Sequence, residues 1–215
     1  MSSIPTFSKI PSEHTVEVLA NHYLISGIAR ARCWIFCPST NEELLLGYDA
    51  ATQNTKSVII QYKALTYTSS NTVSAPIDAA QLGTLLANFN AKAWPYVFYG
   101  FCTHRNYKEV DDGYKSNNSP EFFDNCIFVS IHDLPTGVSR LRYSFKTNTV
   151  LPIVSSKTKK PIHYLRGREL VCGITSCKVG DRHIEPRSFQ KLTVRGGLES
   201  HGRTTGLSVL KVPMG

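Results

Sequence analysis

Hydrophobic positions recur at helical spacing in two stretches of the chain. The spacing predicts one helix over 13–28 with Ser12 as its N-cap, and a second over 76–91 that begins with a proline. Both stretches have the length of ordinary globular helices.

Shorter runs rich in apolar and β-branched residues predict strands. Residues 33–36 form an extended run, followed by a turn at 38–41. Residues 44–51 and 57–65 predict two strands joined by a polar turn, and therefore a hairpin.

Two further strands are predicted over 96–101 and 126–131, separated by a long polar surface loop at 103–121. The succession of strand, helix and strand predicts a mostly parallel sheet with helices against it, and so an α/β fold. Beyond 135 the pattern weakens. Residues 157–160 are expected in a loop, residues 170–174 fit a late strand or a helix, and 185–215 fit an ordered or mobile arm.

Charge adds a candidate partner. Lys and Arg outnumber Asp and Glu by 24 to 16, a net charge of +8, and a basic globular protein often binds a polyanion such as nucleic acid. Basic residues are frequent from about 140 onward, where they could follow a phosphate backbone, although a solvated basic face explains them equally well. The candidates for nucleic-acid binding are Lys157, Lys159, Lys160, Arg166 and Arg168.

Targeting signals are not evident. No apolar run approaches the roughly 20 residues that cross a bilayer, so no membrane partner is expected. The first residues lack a basic segment followed by an apolar one, which predicts a cytoplasmic protein.

The six cysteines are expected to be reduced thiols, and the missing short C-x-x-C spacing favours buried thiols over a zinc site. His104 is expected to be exposed or in a loop, without an obvious partner. Asp111-Asp112-Gly113 lacks the remaining ligand spacing of a calcium site and is expected in the surface loop.

The most informative stretch runs from Glu43 to Lys63. Asp49 lies near the end of one predicted strand, and Gln61 and Lys63 lie two residues apart on the next, so their side chains share a face. Tyr62 points the other way, into packing. Lys63 interrupts an apolar strand, where a buried cation needs a carboxylate or a metal-bound water beside it.

This stretch resembles the PD-(D/E)XK nuclease superfamily. The resembling segment is Glu43-x-x-x-Gly47-Tyr48-Asp49, eleven residues, and then Gln61-Tyr62-Lys63, with Gln61 where most members carry Asp or Glu. The resemblance covers residues 13 to about 131. It implies a restriction-endonuclease-like core, with a mixed central sheet flanked by helices.

The resemblance also implies roles for these residues. Asp49 would be the central metal ligand, Gln61 would offer its side-chain carbonyl, and Glu43 would be a second carboxylate near the metal. Lys63 would position or deprotonate the attacking water and stabilise developing charge. Glu17 is the better candidate for an acidic residue on the first helix, and Glu13 the second. The implied cofactor is Mg²⁺, or Mn²⁺.

We therefore expect one nuclease-like domain over 1–215, with a basic C-terminal extension from about 140. The predicted function is metal-dependent hydrolysis of phosphodiester bonds in DNA or RNA, in a restriction or anti-phage defence setting that only the resemblance suggests. The alternatives are a non-catalytic nucleic-acid-binding protein and an assembly protein on a nuclease-like fold. A homodimer would supply the two sites that cutting both strands of a duplex needs.

Overall fold

The computed structural model describes residues 8–28, 34–38, 40–53, 58–92, 95–115 and 121–176, which lie in one compact unit, Met1–Ile184. The helices of this part of the chain are α1 (Glu13–Ile28), α2 (Thr40–Leu46), α3 (Ala79–Asn88), α4 (Tyr107–Lys115), α5 (Glu121–Asp124) and α6 (Gly167–Thr175), with a short 3-10 helix at Ile131–Asp133. The strands are β1 (Trp34–Phe36), β2 (Ala50–Gln53), β3 (Ile59–Tyr62), β4 (Tyr67–Thr68), β5 (Thr72–Pro76), β6 (Val97–Cys102), β7 (Cys126–Ser130), β8 (Val138–Ser144), β9 (Thr149–Val154), β10 (Lys157–Thr158) and β11 (Leu165–Arg166).

The fold is of the predicted α/β class, and its central sheet is mixed. Its six strands have the order β1-β2-β3-β6-β7-β11. Only β3 and β6 pair in parallel; the other pairings along this sheet are antiparallel. The expectation of a mostly parallel sheet is therefore wrong, because only the β3–β6 connection is a crossover that returns the chain in the same direction.

Helix α1 has the predicted bounds. The Ser12 hydroxyl accepts a hydrogen bond from the Thr15 amide at 3.2 Å, which stabilises the first turn. One stripe of α1 is buried in the main core with residues from β3, β6, β7, α5 and α6. Ile60 and Tyr62 belong to this core, so the alternation of β3 directs Gln61 to the opposite face.

The predicted strand over 44–51 is wrong in its first half. Residues 40–46 form α2, the chain turns at Gly47 with φ +82°, and β2 begins only at Ala50. The Gly47 amide donates to the Glu43 carbonyl at 2.6 Å, and glycine adopts this left-handed backbone at low cost. A short apolar run fits a helix as well as a strand, which is why the sequence pattern at 44–46 predicted the wrong element.

The predicted loop over 103–121 contains α4, so Asp111-Asp112-Gly113 lies in a helix. The Asn106 side chain caps α4 by accepting from the Glu109 amide at 2.9 Å. Ion pairs four residues apart, Lys108 with Asp112 and Lys115 with Asp111, each have a separation of 2.6 Å. Residues 116–120 lie outside the described part of the chain.

A second, five-stranded antiparallel sheet has the order β10-β9-β8-β5-β4. Its β8–β9 hairpin and β10 lie in the region beyond 135, where the sequence pattern weakens. Residues 170–174 lie in α6, which settles the choice between strand and helix. The predicted helix over 76–91 is shorter, since Pro76 ends β5 and the Asp78 side chain caps α3.

The described helices are all too short or too polar to cross a bilayer. The predicted arm at 185–215 lies outside the described residues, as does everything after 176.

Candidate functional site

Asp49 and Gln61 meet across the β2–β3 hairpin. The register pairs Ala50 with Ile60, and the Asp49 amide donates to the Ile60 carbonyl at 3.0 Å. Asp49 Oδ2 accepts hydrogen bonds from Gln61 Nε2 at 2.6 Å and from the Tyr62 amide at 2.5 Å. Asp49 is 8% exposed and Gln61 is fully buried, so this contact is held in a desolvated part of the protein.

The other end of the Gln61 amide has no partner. Gln61 Nε2 is occupied by Asp49 and by the Tyr62 carbonyl at 3.1 Å, whereas Oε1 is buried without a hydrogen bond. An unsatisfied buried carbonyl oxygen is costly, and such an atom in a native structure calls for an explanation.

Burial is the main reason why the pKa of the Asp49 carboxyl rises to about 8. The hydrogen bond from the Tyr62 amide opposes this rise, while the negative charges of Glu43 and Glu13 and a hydrogen bond with the Glu43 side chain add to it. Near neutral pH the Asp49 carboxyl therefore tends to hold a proton. A cation in this place would favour its ionised form.

Lys63 follows directly on β3, and its partner is Glu13 at the start of α1. Lys63 Nζ lies 3.6 Å from Glu13 Oε1, and the Lys63 side chain is only 11% exposed. Glu13 Oε2 also accepts from the Ala64 amide at 3.2 Å, which fixes the carboxylate beside the end of β3. The lysine therefore has the carboxylate neighbour that its position in an apolar run requires.

The sequence favoured Glu17 over Glu13 as the acidic residue of α1, but Glu13 makes the direct contact with Lys63. Glu17 lies 3.6 Å from His14. Burial raises the pKa of Glu17, the pairing with His14 opposes this, and Glu43 and Glu13 raise it further. Glu13 and Glu17 share one face of α1 because they are four residues apart. This spacing was the signal that either could be the acidic residue beside the site.

Tyr62 projects away from Gln61, as predicted. Its hydroxyl donates to Asn21 Oδ1 on α1 at 2.8 Å, and its ring is fully buried. On the neighbouring β6 strand, a Cβ at Gly100 would lie 3.2 Å from the Tyr62 ring. Gly100 thus leaves room for the Tyr62 ring, whose hydroxyl connects β3 to α1.

No protein-family model, curated protein or solved structure matches this chain. The proposal for the function therefore rests on the geometry of the site.

The donor set around Asp49 suits a hard cation. The described residues contain no group of three or more His, Cys, Asp or Glu side chains placed to hold a metal ion. Mg²⁺ commonly takes only one or two carboxylates and completes its shell with water and substrate oxygens. Asp49, the unpartnered Gln61 oxygen and Glu43 fit that pattern, because all three offer oxygen atoms.

The predicted nucleic-acid-binding residues fall into two groups. Lys157, Lys159 and Lys160 are exposed, at β10 and just after it. Arg166, in contrast, donates to the Asp124 carbonyl at 3.2 Å, the Tyr143 hydroxyl at 2.8 Å and Asn148 Oδ1 at 2.6 Å. Its guanidinium therefore joins β8, α5 and the β8–β9 turn.

Arg168 is also paired within the protein, since its guanidinium lies 2.9 Å from Asp124 Oδ2. Its side chain is nevertheless 65% exposed, so a phosphate could still approach it. Of the five predicted residues, the three lysines are thus the most available to a polyanion.

His104 lies in the loop just after β6, one of the two expected settings, but it is buried, at 8% exposed. Its Nδ1 lies 2.9 Å from Cys102 Sγ, and its ring stacks on Phe122 at 5.4 Å. Burial raises the pKa of the Cys102 thiol, but hydrogen bonds with Cys126 and His104 outweigh it and lower the pKa to about 6. The spacing of Cys102 and His104 at a strand end was the available signal.

The prediction of buried thiols holds for Cys102 and Cys126. Cys37 and Cys172 are free and exposed. For Cys37 and Cys172 the prediction of buried thiols is therefore wrong. Cys33 and Cys177 lie outside the described residues, so the preference for thiols over a zinc site is not tested there.

Proposed function

We propose that this protein is a metal-dependent nuclease that hydrolyses phosphodiester bonds of nucleic acid at a site formed by Asp49, Gln61, Lys63 and Glu43. The observation that carries the proposal is the direct contact of Asp49 with Gln61, which leaves a buried Gln61 oxygen without a partner. Lys63, two residues further on, is held by a carboxylate of α1.

The order of elements supports a restriction-endonuclease-like core. The chain forms, in this order, the acidic helix α1, the antiparallel pair β2–β3, the helix α3 and the strand β6. Strand β6 is parallel to β3. This order agrees with the one that the resemblance implies. Asp49 directly precedes β2, Gln61 lies in β3, and Lys63 directly follows β3.

Mg²⁺ or Mn²⁺ is the proposed cofactor. Asp49 and Gln61 would bind it, and Glu43 would contribute a second carboxylate, because these groups supply the oxygen ligands that such ions prefer. When bound, the ion would neutralise charge on the scissile phosphate and activate the attacking water.

The protein's own groups have separate tasks. Lys63 provides a fixed ammonium group that stabilises negative charge developing on the phosphate oxygens. The ion pair with Glu13 keeps this ammonium group in place. Less side-chain entropy is therefore lost when the ammonium group contacts the phosphate. Asp49 would bind the cation in its ionised form, and because the pKa of its carboxyl is about 8 without metal, binding would release a proton below about pH 8.

A second candidate is a nucleic-acid-binding protein without catalysis. It is favoured by Gln61, which stands where most members of the superfamily have a carboxylate and whose Nε2 already donates to Asp49. The proposed defence setting, the homodimer and the cytoplasmic location remain predictions under either candidate.

Cleavage with matched variants tests the proposal. The protein is incubated with single- and double-stranded DNA and RNA in Mg²⁺, Mn²⁺ or EDTA, beside Lys63→Ala, Asp49→Ala and the exposed-lysine control Lys92→Ala. We expect cleavage only with metal. Lys63→Ala and Asp49→Ala should each lose it by about 100-fold or more, as removal of a group that stabilises the transition state typically does.

Thermal melting of each variant separates loss of activity from loss of fold. Lys63→Ala should melt close to the wild type, because its ion pair is with a partly exposed glutamate. Equal cleavage by wild type and Lys63→Ala would refute this site. Binding without cleavage under every metal and substrate would instead support the second candidate.

A further inference from the structure

A cavity of about 550 Å³ lies between α4, the end of β6 and two turns of the second sheet. Thr103 and His104, 4% and 8% exposed, form its floor. Ser70, in the β4–β5 turn, and Phe145, in the β8–β9 turn, lie at its rim. The volume is in the range of cavities that enclose small organic groups.

The rim carries a fixed aromatic ring. Phe145 is 39% exposed, so part of its ring surface faces solvent at the edge of the cavity. The Tyr143 ring packs edge-on against it at 5.2 Å, and the Arg105 guanidinium lies 5.9 Å from its centre. Phe145 is therefore held in one orientation, with part of its surface available for stacking.

The charges around the cavity are already balanced. Arg105 pairs with Glu109, with a nitrogen–oxygen separation of 2.5 Å, and Asp112 pairs with Lys108 at 2.6 Å. Such walls do not provide the surplus of positive charge that a phosphate group needs. An aromatic rim over a polar floor suits a flat, uncharged heterocycle with a hydrogen-bonding edge, such as a nucleobase.

The cavity is close to the proposed site along the sheet. The Lys63 amide donates to the Gly100 carbonyl of β6 at 2.8 Å, and Thr103 lies three residues beyond Gly100, just after β6 ends. At about 3.3 Å per residue this is roughly 10 Å along the chain direction.

A second connection runs through α4. The Tyr107 hydroxyl contacts the Ser12 amide at 3.2 Å and Thr15 Oγ1 at 3.1 Å, on either side of Glu13 in the sequence. Glu13 is the partner of Lys63. The helix that lines the cavity is thus fixed to the segment that positions the lysine.

We propose that this cavity takes up an unstacked base of the substrate strand, which stacks on Phe145 while its neighbouring phosphate lies at the Asp49 site. The inference rests on the proposed function for the placement of that phosphate. It adds a substrate class: single-stranded nucleic acid, or a nucleotide turned out of a duplex. Lys146, exposed and next to Phe145, provides a cation near the backbone of the same nucleotide.

The test measures base stacking without cleavage. A single-stranded oligonucleotide with one fluorescent 2-aminopurine is titrated in EDTA with wild type, Phe145→Leu, Phe145→Tyr and Tyr67→Leu. Tyr67 is a matched control because it is an exposed aromatic residue, at 52%, that does not line the cavity. Stacking on an aromatic ring quenches this fluorescence.

We expect quenching with wild type and Tyr67→Leu, and with Phe145→Tyr, which keeps an aromatic face. Phe145→Leu should lose the quenching and bind about ten-fold more weakly, as the loss of one stacked base typically does. Melting temperatures of the four proteins should agree, because Phe145 is partly exposed.

The outcome separates this inference from the nuclease proposal. Quenching and affinity that are the same for Phe145→Leu and wild type would overturn the inference, even if the protein cuts nucleic acid. Quenching that depends on Phe145 in a protein that never cuts would support the base site and refute the nuclease. Absence of any oligonucleotide binding would overturn both.

Discussion

At the scale of single residues, the Asp49 carboxyl group lies among two hydrogen-bond donors and two acidic side chains. The donors stabilise its ionised form, whereas burial and the charges of Glu43 and Glu13 favour the protonated form and prevail. A group in this situation makes the stability of the protein depend on pH.

The first consequence concerns the metal-free protein. The pKa of Asp49 is about 8 in the folded state and near its ordinary value of 3.8 in the unfolded chain. Between these values the folded state keeps a proton that the unfolded state has lost. The contribution to the free energy of unfolding is therefore fully present below about pH 4 and is lost as the pH rises through 8.

Melting temperatures in EDTA from pH 4 to 9 should thus decline less for Asp49→Asn than for the wild type. Asp133→Asn, at an exposed aspartate, is the control and should keep the wild-type profile. Parallel profiles for Asp49→Asn and wild type would contradict the raised pKa.

The contact of Asp49 with Gln61 could be predicted because hairpin pairing and strand alternation fix which side chains meet. The sequence could not show whether Glu13 or Glu17 contacts Lys63, because this depends on where the first turn of α1 lies relative to the end of β3. The Cys102–His104 contact was also missed. The two-residue spacing at the strand end allows it, but a strand pattern does not show that the residue just after the strand is buried.

At the scale of elements, two glycines in helices have opposite surroundings. A Cβ on Gly167, the first residue of α6, would overlap the carbonyl oxygen of Phe123 at the end of α5. A Cβ on Gly83, within α3, would meet nothing within 4 Å. The first glycine is required by packing and the second is not.

Alanine at each position gives a matched pair of predictions. Gly167→Ala should lower the free energy of unfolding by about 1–3 kcal/mol, because the backbone of α5 and α6 must separate. Gly83→Ala should raise it by roughly 0.5–1 kcal/mol, since alanine restricts the unfolded chain and favours the helix. Denaturant midpoints measure both, and a destabilising Gly83→Ala or a neutral Gly167→Ala would contradict the packing.

Long, regular patterns predicted their elements well. Helix α1 and the buried strands β6 and β7 have strong signals and lie within a residue or so of the expected bounds. Helix α4 was missed because charged and polar residues dominate its sequence. Of its described side chains only Val110 joins the main core, while ion pairs and a side-chain cap stabilise the rest of the helix. The second sheet was missed because β5 pairs with β8 far along the chain, and no local pattern shows such a pairing.

At the scale of the whole molecule, the described residues include one group of three neighbouring exposed lysines. Lys157, Lys159 and Lys160 lie together near β10, whereas Arg166 is used internally. If these lysines contact phosphates, each contact releases counterions from the nucleic acid on binding.

Replacing the three lysines by alanine should weaken duplex binding and reduce the slope of log K against log salt by about 0.9 for each lysine. The measurement is fluorescence anisotropy with labelled DNA in EDTA between 50 and 200 mM salt. Lys92→Ala is the control, and the melting temperature of the triple variant should stay at the wild-type value. An unchanged slope would exclude these lysines from the interface.

The path of the chain through the second sheet has a consequence during protein synthesis. The β4–β5 hairpin leaves the ribosome early, but β5 pairs with β8 through Thr72–Ser144 to Pro76–Arg140. At about 5–20 residues per second, the edge of β5 waits several seconds for its partner. An unpaired strand edge of this kind readily joins edges of other nascent chains, so the yield of folded protein should depend on chaperones that bind short apolar strands.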